Sequence, residues 1–314
     1  MKENNTTPDI SVVVPVYACR DCLHDLVLRL DNTLGRLVAD WEILLVNDAC
    51  PQDSWETIGA IAEANPRVVG LDLSRNFGQH HAITAGLDHT RGEWVVVMDC
   101  DLQDQPEEIE KFFEAARKGY EVVWGRRNHR QDGFFKKLSS RMFYRVFDYF
   151  TDQESDPSIA NFGIYHRKVI ESYRSLREQN RLFPLFVRWL GYRSARVDIR
   201  HGERLTGVSA YTLRKALALA MDSIVSQSNK PLKLAIKLGF AMSALSMLYG
   251  LYLIGRYFIY TIPVQGWTSV MVSLYFLSGL LLANMGILGL YIGKVFDETK
   301  GRPLYVVRET VGMP

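Results

Sequence analysis

Residues 94–108 read Trp94-Val-Val-Val-Met-Asp99-Cys-Asp101-Leu-Gln103-Asp104-Gln-Pro106-Glu-Glu108, an apolar run that stops abruptly in acids. A short apolar run bounded in this way predicts a parallel strand buried on both faces. Open α/β sheets bind ligands beyond the carboxyl ends of such strands, so Asp99 and Asp101 are expected at a binding crevice. Carboxylates at i and i+2, with the Gln103 amide oxygen nearby, are hard oxygen donors that suit Mg²⁺ or Mn²⁺ better than zinc. The competing reading is a plain acidic turn ahead of a helix that opens near Pro106. The two acids alone do not choose between them.

Working outward, Ile10–Val14, Glu42–Val46, Arg67–Leu71 and Glu121–Trp124 have the same short, apolar character, with helix-length segments between them. The alternation predicts a parallel-rich α/β sheet. Asp53 and Glu56 have the spacing of a capping box for a helix running toward Asn65, and Pro106 with Glu107 and Glu108 suits another helix start. No GxGxxG follows the first strand, so the phosphate fingerprint of a dinucleotide fold is absent. The second strand ends in Asn47-Asp48, where an acid can accept hydrogen bonds from a ribose or base, or can simply serve the turn.

The chain has 314 residues, 47% of them hydrophobic and 23% charged, with a formal net charge of +2. That composition supports a folded core and gives no global charge excess of the kind nucleic-acid binding uses. The mean hydropathy of −0.06 hides an uneven distribution. Leu238–Gly255 and Tyr257–Gly293 carry no charge, the second run being broken by Pro263, Gln265 and Gly266. Each half is long enough for a bilayer core, which needs about 20 apolar residues. Lys230, Lys233 and Lys237 precede the first span and Lys294, Lys300 and Arg302 follow the second, which by the positive-inside rule puts both ends in the cytoplasm. Tyr257, Tyr260 and Trp267 fall where an interfacial aromatic belt would lie, and the alternative is a buried helical hairpin. Met1–Asp9 is polar and has no signal-peptide core.

Cys19 and Cys22 form a CxxC after the first strand, and Cys50 and Cys100 follow other strand ends. With no second CxxC or nearby His pair, buried thiols are expected rather than a zinc or disulfide framework. Downstream, Arg126, Arg127, Arg130, Lys136, Lys137, Arg141 and Arg145 form a local basic segment, and apolar residues from Phe134 to Phe150 recur at helical spacing. This segment, and a second from Tyr211 to Val225, suit helices on a membrane surface or packed on the sheet.

In order along the chain, VVVPVY (Val12–Tyr17), LLVNDAC around Asp48, LSRNFGQHHAITAGL (Leu73–Leu87), MDCDLQDQPEE (Met98–Glu108), WGRR (Trp124–Arg127), RLTGVSAY (Arg204–Tyr211) and the terminal KGRPLYVV make up a series. It resembles the family 2 glycosyltransferases of GT-A fold, in particular their polyprenyl-phosphate branch of dolichyl-phosphate mannose synthases and GtrB-like enzymes. The resemblance implies an α/β GT-A nucleotide-sugar-binding domain over 1–210, a juxtamembrane amphipathic helix over 211–233, a transmembrane hairpin over 234–293 (spans about 236–258 and 269–293) and a cytoplasmic tail over 294–314. It implies that Pro15, Tyr17, Asp48 and Asp99 hold the nucleotide sugar, that Asp99, Asp101 and Gln103 hold Mg²⁺ or Mn²⁺ and the diphosphate, and that Arg127, Arg141 and Arg204 hold the lipid phosphate. Asp99, Asp101 and these three arginines are then the catalytic set. Partners follow: a nucleotide-sugar donor, an undecaprenyl- or dolichyl-type phosphate acceptor, the lipid bilayer and a homo-oligomer, tetramers included. The expected location is the bacterial inner membrane, an endoplasmic reticulum location being the alternative.

Three departures stand out. The usual PVYNE reads PVYAC, the common Asp-Phe-Arg reads Asn161-Phe162-Gly163, and SKY reads Ser209-Ala210-Tyr211. The sugar is therefore left unnamed. A transferase acting on a glycan or another lipid-linked acceptor, and a catalytically silent nucleotide-sugar-binding scaffold, are the competing functions. A processive synthase fits less well, because Val187-Arg188-Trp189 resembles only the tail of its QxxRW motif. His80 and His81 are read as helix-start residues outside the site. Asn284 and the pair Gly289 and Gly293 are expected to face a neighbouring helix.

Overall fold

The computed structural model describes residues 7–127, 145, 147–150, 159–200, 202, 224–226, 228–259 and 266–313. It divides into two compact units: Met1–Leu138 with Asp156–Ala210 and Arg302–Pro314, and Ser139–Ser155 with Tyr211–Gly301.

The first unit alternates strand and helix: β1 (Ile10–Val16), α1 (Leu23–Leu37), β2 (Trp41–Asn47), α2 (Ser54–Ala64), β3 (Val68–Leu73), α3 (Gln79–His89), β4 (Trp94–Val97), α4 (Ile109–Arg117) and β5 (Val122–Arg127). Then come β6 (Ile159–His166), α5 (Arg167–Ser175), α6 (Phe183–Trp189), β7 (Ser194–Ile199) and, after the second unit, β8 (Val307–Val311). One eight-stranded sheet runs β7-β5-β6-β4-β1-β2-β3-β8. The β1–β2, β1–β4, β2–β3 and β5–β7 pairings are parallel, while β6 runs against β4 and β5 and β8 runs against β3.

Strand alternation distributes the core between two faces. Val12 and Val14 pack with Leu26, Leu30 and Phe112 from α1 and α4, whereas Val13 packs with Ile83, Leu87 and Tyr173 from α3 and α5. The central strands are buried on both sides, which is why they read as continuous apolar runs.

All five predicted strands are present, each within a few residues of its expected bounds. The sequence reading did not find β6, β7 or β8. Both β7 and β8 are partly exposed strands whose polar residues mask any apolar run. Within 294–314, expected as a tail, Arg302–Pro314 belong to the sheet-bearing unit and β8 covers the open edge of β3. Arg308 fastens it by donating through Nε to Oδ2 of the fully buried Asp72 at 2.6 Å.

The capping box is not made. Asp53 is left-handed (φ 53°) and its side chain bonds no helix amide, although α2 does end before Asn65. Pro106–Glu108 form a 3-10 turn that leads into α4.

In the second unit, α7 (Lys230–Ile259) and α8 (Trp267–Thr299) are each long and apolar enough to cross a membrane. The expected spans lie inside them, and α7 already begins at Lys230, within the segment expected to be a separate helix. Asn284 donates to the Leu280 carbonyl of its own helix at 3.0 Å. A Cβ placed at Gly289 or Gly293 would meet nothing within 4 Å among the described residues. Of the two expected amphipathic segments, only Arg145, residues 147–150 and residues 224–225 are described, and all are helical.

Candidate active site

The site is built where β1, β2 and β4 end on one edge of the sheet. Ala18, Ala49 and Leu102, in the turns that follow these strands, have φ of 54°, 48° and 59°. Left-handed backbone is uncommon outside glycine and is kept where surrounding structure fixes a loop's shape.

Asp99 and Asp101 lie in the turn after β4, as predicted. The half-buried Asp99 accepts at Oδ1 from the Gln79 side-chain amide at 2.6 Å. Burial first, and then the adjacent Asp104 and Asp101, push its carboxyl up to about 6, against the opposing pull of Arg127 and Gln79. Asp101 Oδ1 accepts from the Gln103 backbone amide at 3.2 Å, and the Gln103 carbonyl accepts from the Gly202 amide at 2.8 Å.

A third acid, Asp104, was missed. It is 1% exposed and accepts from Arg127 Nη2 at 2.8 Å. Arg127 is the last residue of β5, which β6 holds two strands from β4, so the sheet order brings it back to the acidic turn. The buried Arg127 Nε has no hydrogen-bond partner among the described residues. Sequence offered one clue to Asp104, a third acid in the same short turn, but nothing in it marks which acid is buried. Arg141 and Arg204 lie outside the described residues.

Asp48 is buried and accepts from the Phe77 and Gly78 amides at 2.7 and 2.9 Å. Burial raises its carboxyl above the ordinary range, while these two bonds oppose the rise. Gly78, at φ 96°, takes a backbone shape that side-chain-bearing residues avoid. Residues 77–79 therefore bridge two acids: Asp48 holds their amides, and Gln79 reaches Asp99. Pro15 is buried in β1 opposite Val46, and Tyr17 stands 51% exposed at the strand's end.

His80 and His81 are tied to the segment before α6. His80 Nδ1 accepts from the Phe183 amide at 3.4 Å, and His81 Nε2 lies 3.2 Å from the Gln179 carbonyl. Burial, then His81 and Arg181, lower His80 to about 4. Both histidines stand in the first turn of α3.

All four cysteines are free thiols, and they gather at the same strand ends. Cys19 Sγ donates to the Cys100 carbonyl at 2.8 Å, and Cys50 Sγ accepts from the Ala18 amide at 3.1 Å and from Ser54 Oγ at 3.0 Å. Asn161-Phe162-Gly163 lies in β6. A Cβ at Gly163 would come within 2.6 Å of the Val123 carbonyl oxygen, so no larger side chain fits here without a shift.

Among the described residues, no three His, Cys, Asp or Glu side chains form a ready-made metal cage. Mg²⁺-type ions are commonly held by one or two carboxylates with substrate phosphates and water completing the shell. A crowded, half-buried acid pushed up by two neighbouring acids is a donor set that such a cation would fit.

Residues 11–174 match the family described as Glycosyl transferase family 2, and the chain belongs to that family. It is 38% identical to "Uncharacterized glycosyltransferase YkcC" of Bacillus subtilis (strain 168), covering 96% of this chain and 94% of the relative. It is 32% identical to "Bactoprenol glucosyl transferase" of Shigella phage SfX (95% and 98% covered) and 32% identical to "Undecaprenyl-phosphate 4-deoxy-4-formamido-L-arabinose transferase" of Klebsiella pneumoniae (strain 342), with 97% and 94% covered. The fold is similar to that of glucosyl-3-phosphoglycerate synthase from Mycobacterium tuberculosis, crystallised with Mn²⁺, UDP and phosphoglyceric acid, at a TM-score of 0.50 and 17% identity over 69% of this chain and 76% of that one.

Proposed function

We propose that this family 2 glycosyltransferase moves a sugar from a nucleotide-sugar donor to a polyprenyl phosphate, using Mg²⁺ or Mn²⁺. The observation that carries the reading is the juxtaposition of Asp99, Asp101, Asp104 and Arg127 at one sheet edge, in a chain whose α7 and α8 are long and apolar enough for a bilayer. The full-length relatives that act on bactoprenol and undecaprenyl phosphate support the acceptor class.

Asp99 and Asp101 would hold the cation with Gln103 beside them, and when bound it supplies a Lewis acid for the departing nucleoside diphosphate. Tyr17 offers an open ring and Asp48 a hydrogen-bond acceptor near the nucleotide, over the Pro15 backbone. Arg127, kept in place by Asp104, presents its guanidinium edge to a phosphate, and Arg141 and Arg204 join it in holding the lipid head group. An acceptor phosphate is already anionic near neutral pH, so orientation rather than strong general-base help is what the arginines provide. Direct displacement inverts the anomeric carbon, giving a β-linked lipid phosphate from an α-linked donor.

The lysines flanking α7 and α8 favour a cytoplasmic catalytic unit with both ends inside, in a bacterial inner membrane. Assembly into a homo-oligomer through the apolar helices belongs to the same reading.

The test is incubation of the full chain with a panel of nucleotide sugars, Mg²⁺ or Mn²⁺, and either a short polyprenyl phosphate or glycan acceptors. Turnover confined to the lipid phosphate is expected. Turnover only on glycans would replace the acceptor, and no turnover with any donor would leave a binding scaffold.

A further inference from the structure

The four thiols have no part in the transfer chemistry, yet three of them adjoin the acidic turn. Cys19 precedes a 3-10 turn over Arg20–Cys22 that runs into α1, and the Cys22 amide donates to the Cys19 carbonyl at 3.2 Å. A turn of this kind brings residues i and i+3 onto one side, about 6 Å apart, inside the range that a disulfide spans. Cys22 is half-buried, whereas Cys19 is 5% exposed and sits between Cys22 and Cys100. The Cys19 thiol spends its hydrogen on the carbonyl of Cys100, the residue between Asp99 and Asp101.

We propose that Cys19 and Cys22 form a reversible dithiol switch that controls the acidic turn. Its functional arm rests on the transferase reading above; its chemistry does not. Burial raises the Cys22 thiol above its ordinary range, so at alkaline pH its thiolate attacks a low-molecular-weight disulfide such as oxidised glutathione, expelling one thiol and forming a mixed disulfide. Cys19 then attacks the Cys22 sulfur, expelling the second thiol, so that two protein thiols are oxidised while one external disulfide is reduced to two thiols. The new Sγ–Sγ bond consumes the Cys19 thiol hydrogen. Its bond to the Cys100 carbonyl is lost, and with it a support under Asp99 and Asp101. Loss of such supporting contacts typically lowers metal affinity or activity about tenfold to a hundredfold.

The full chain in detergent is treated with oxidised glutathione, alkylated, and digested with trypsin without reduction. Cleavage after Arg20 and Arg29 separates the two cysteines, so the disulfide is read directly as a cross-link between the peptide ending at Arg20 and the peptide Asp21–Arg29. The expected result is that cross-link, with transfer reduced about tenfold, restored by dithiothreitol and unaffected by oxidant in Cys22→Ser. A serine in place of Cys19 keeps a donor for the Cys100 carbonyl, so Cys19→Ser retains transfer and resists the oxidant. No cross-link, or one joining Cys50 or Cys100 instead, overturns the switch, as does the expected cross-link with transfer unchanged. If the reduced protein transfers no sugar at all, the transferase reading fails while the peptide map still judges the dithiol.

Discussion

Arg127 donates through Nη2 to Asp104 Oδ2 at 2.8 Å, joining the last residue of β5 to the turn after β4. The partners differ in burial: the Asp104 side chain is 1% exposed and that of Arg127 is 31% exposed. Removing the arginine takes a charged partner from a buried carboxylate, whereas removing the acid leaves a guanidinium that is already partly exposed. Arg127→Ala is therefore expected to lose about 3 kcal/mol or more of stability, and Asp104→Asn clearly less. Denaturant unfolding of the two variants checks the order. Both should lower transfer, Asp104→Asn through misplacement of Arg127.

Asp101→Ala should abolish transfer while leaving the fold intact, because Asp101 lies in the turn after β4, where it accepts from the Gln103 amide, and not in the apolar core of the sheet. Transfer rates and circular dichroism on the same sample test this. Near-normal turnover would remove the cation from the mechanism.

Asp48→Ala leaves the half-buried Phe77 and Gly78 amides without this acceptor, at about 1 kcal/mol for each bond. Since the same loop carries Gln79 to Asp99, the donor KM should rise more than kcat falls. Asp48→Asn keeps one acceptor oxygen and should recover part of both losses. Steady-state kinetics against donor concentration make the comparison.

His80 gives a pH dependence. Its folded value is lowered from 6.5 to about 4, so between these values the unfolded chain takes up a proton that the folded chain refuses. Stability contributed by the neutral imidazole is present above about 6.5 and is lost as pH falls toward 4. His80→Asn, which retains an acceptor for the Phe183 amide, should flatten the acid side of the stability curve by on the order of 2 kcal/mol. Thermal melts from pH 7 to pH 4.5 would show the wild-type slope and its reduction; an unchanged slope would mean that the imidazole titrates normally.

What could be read from sequence follows burial. Strands β1 to β5 announce themselves because an α/β sheet buries its central strands on both faces, and Asp99, Asp101 and Asp48 follow from where those strands end. The polar edge strand β8 carries no such signal, and its pairing with β3 depends on a chain returning from more than two hundred residues away. Asp104 was equally hidden, since its burial and its pairing with Arg127 come from the order of β4, β6 and β5 rather than from local spacing. The Asp53 capping box had the right spacing and failed because Asp53 adopts a left-handed turn instead of presenting its carboxylate to α2.

The central claim is that a cation seated by Asp99 and Asp101 meets the donor's diphosphate. An anomalous difference map of the full chain with Mn²⁺ and a bound nucleotide sugar tests it most directly. The account predicts one ion bonded to Asp101 and to the diphosphate, with the sugar carbon turned toward Arg127. A nucleotide sugar bound elsewhere, with no ion beside Asp101, would contradict it.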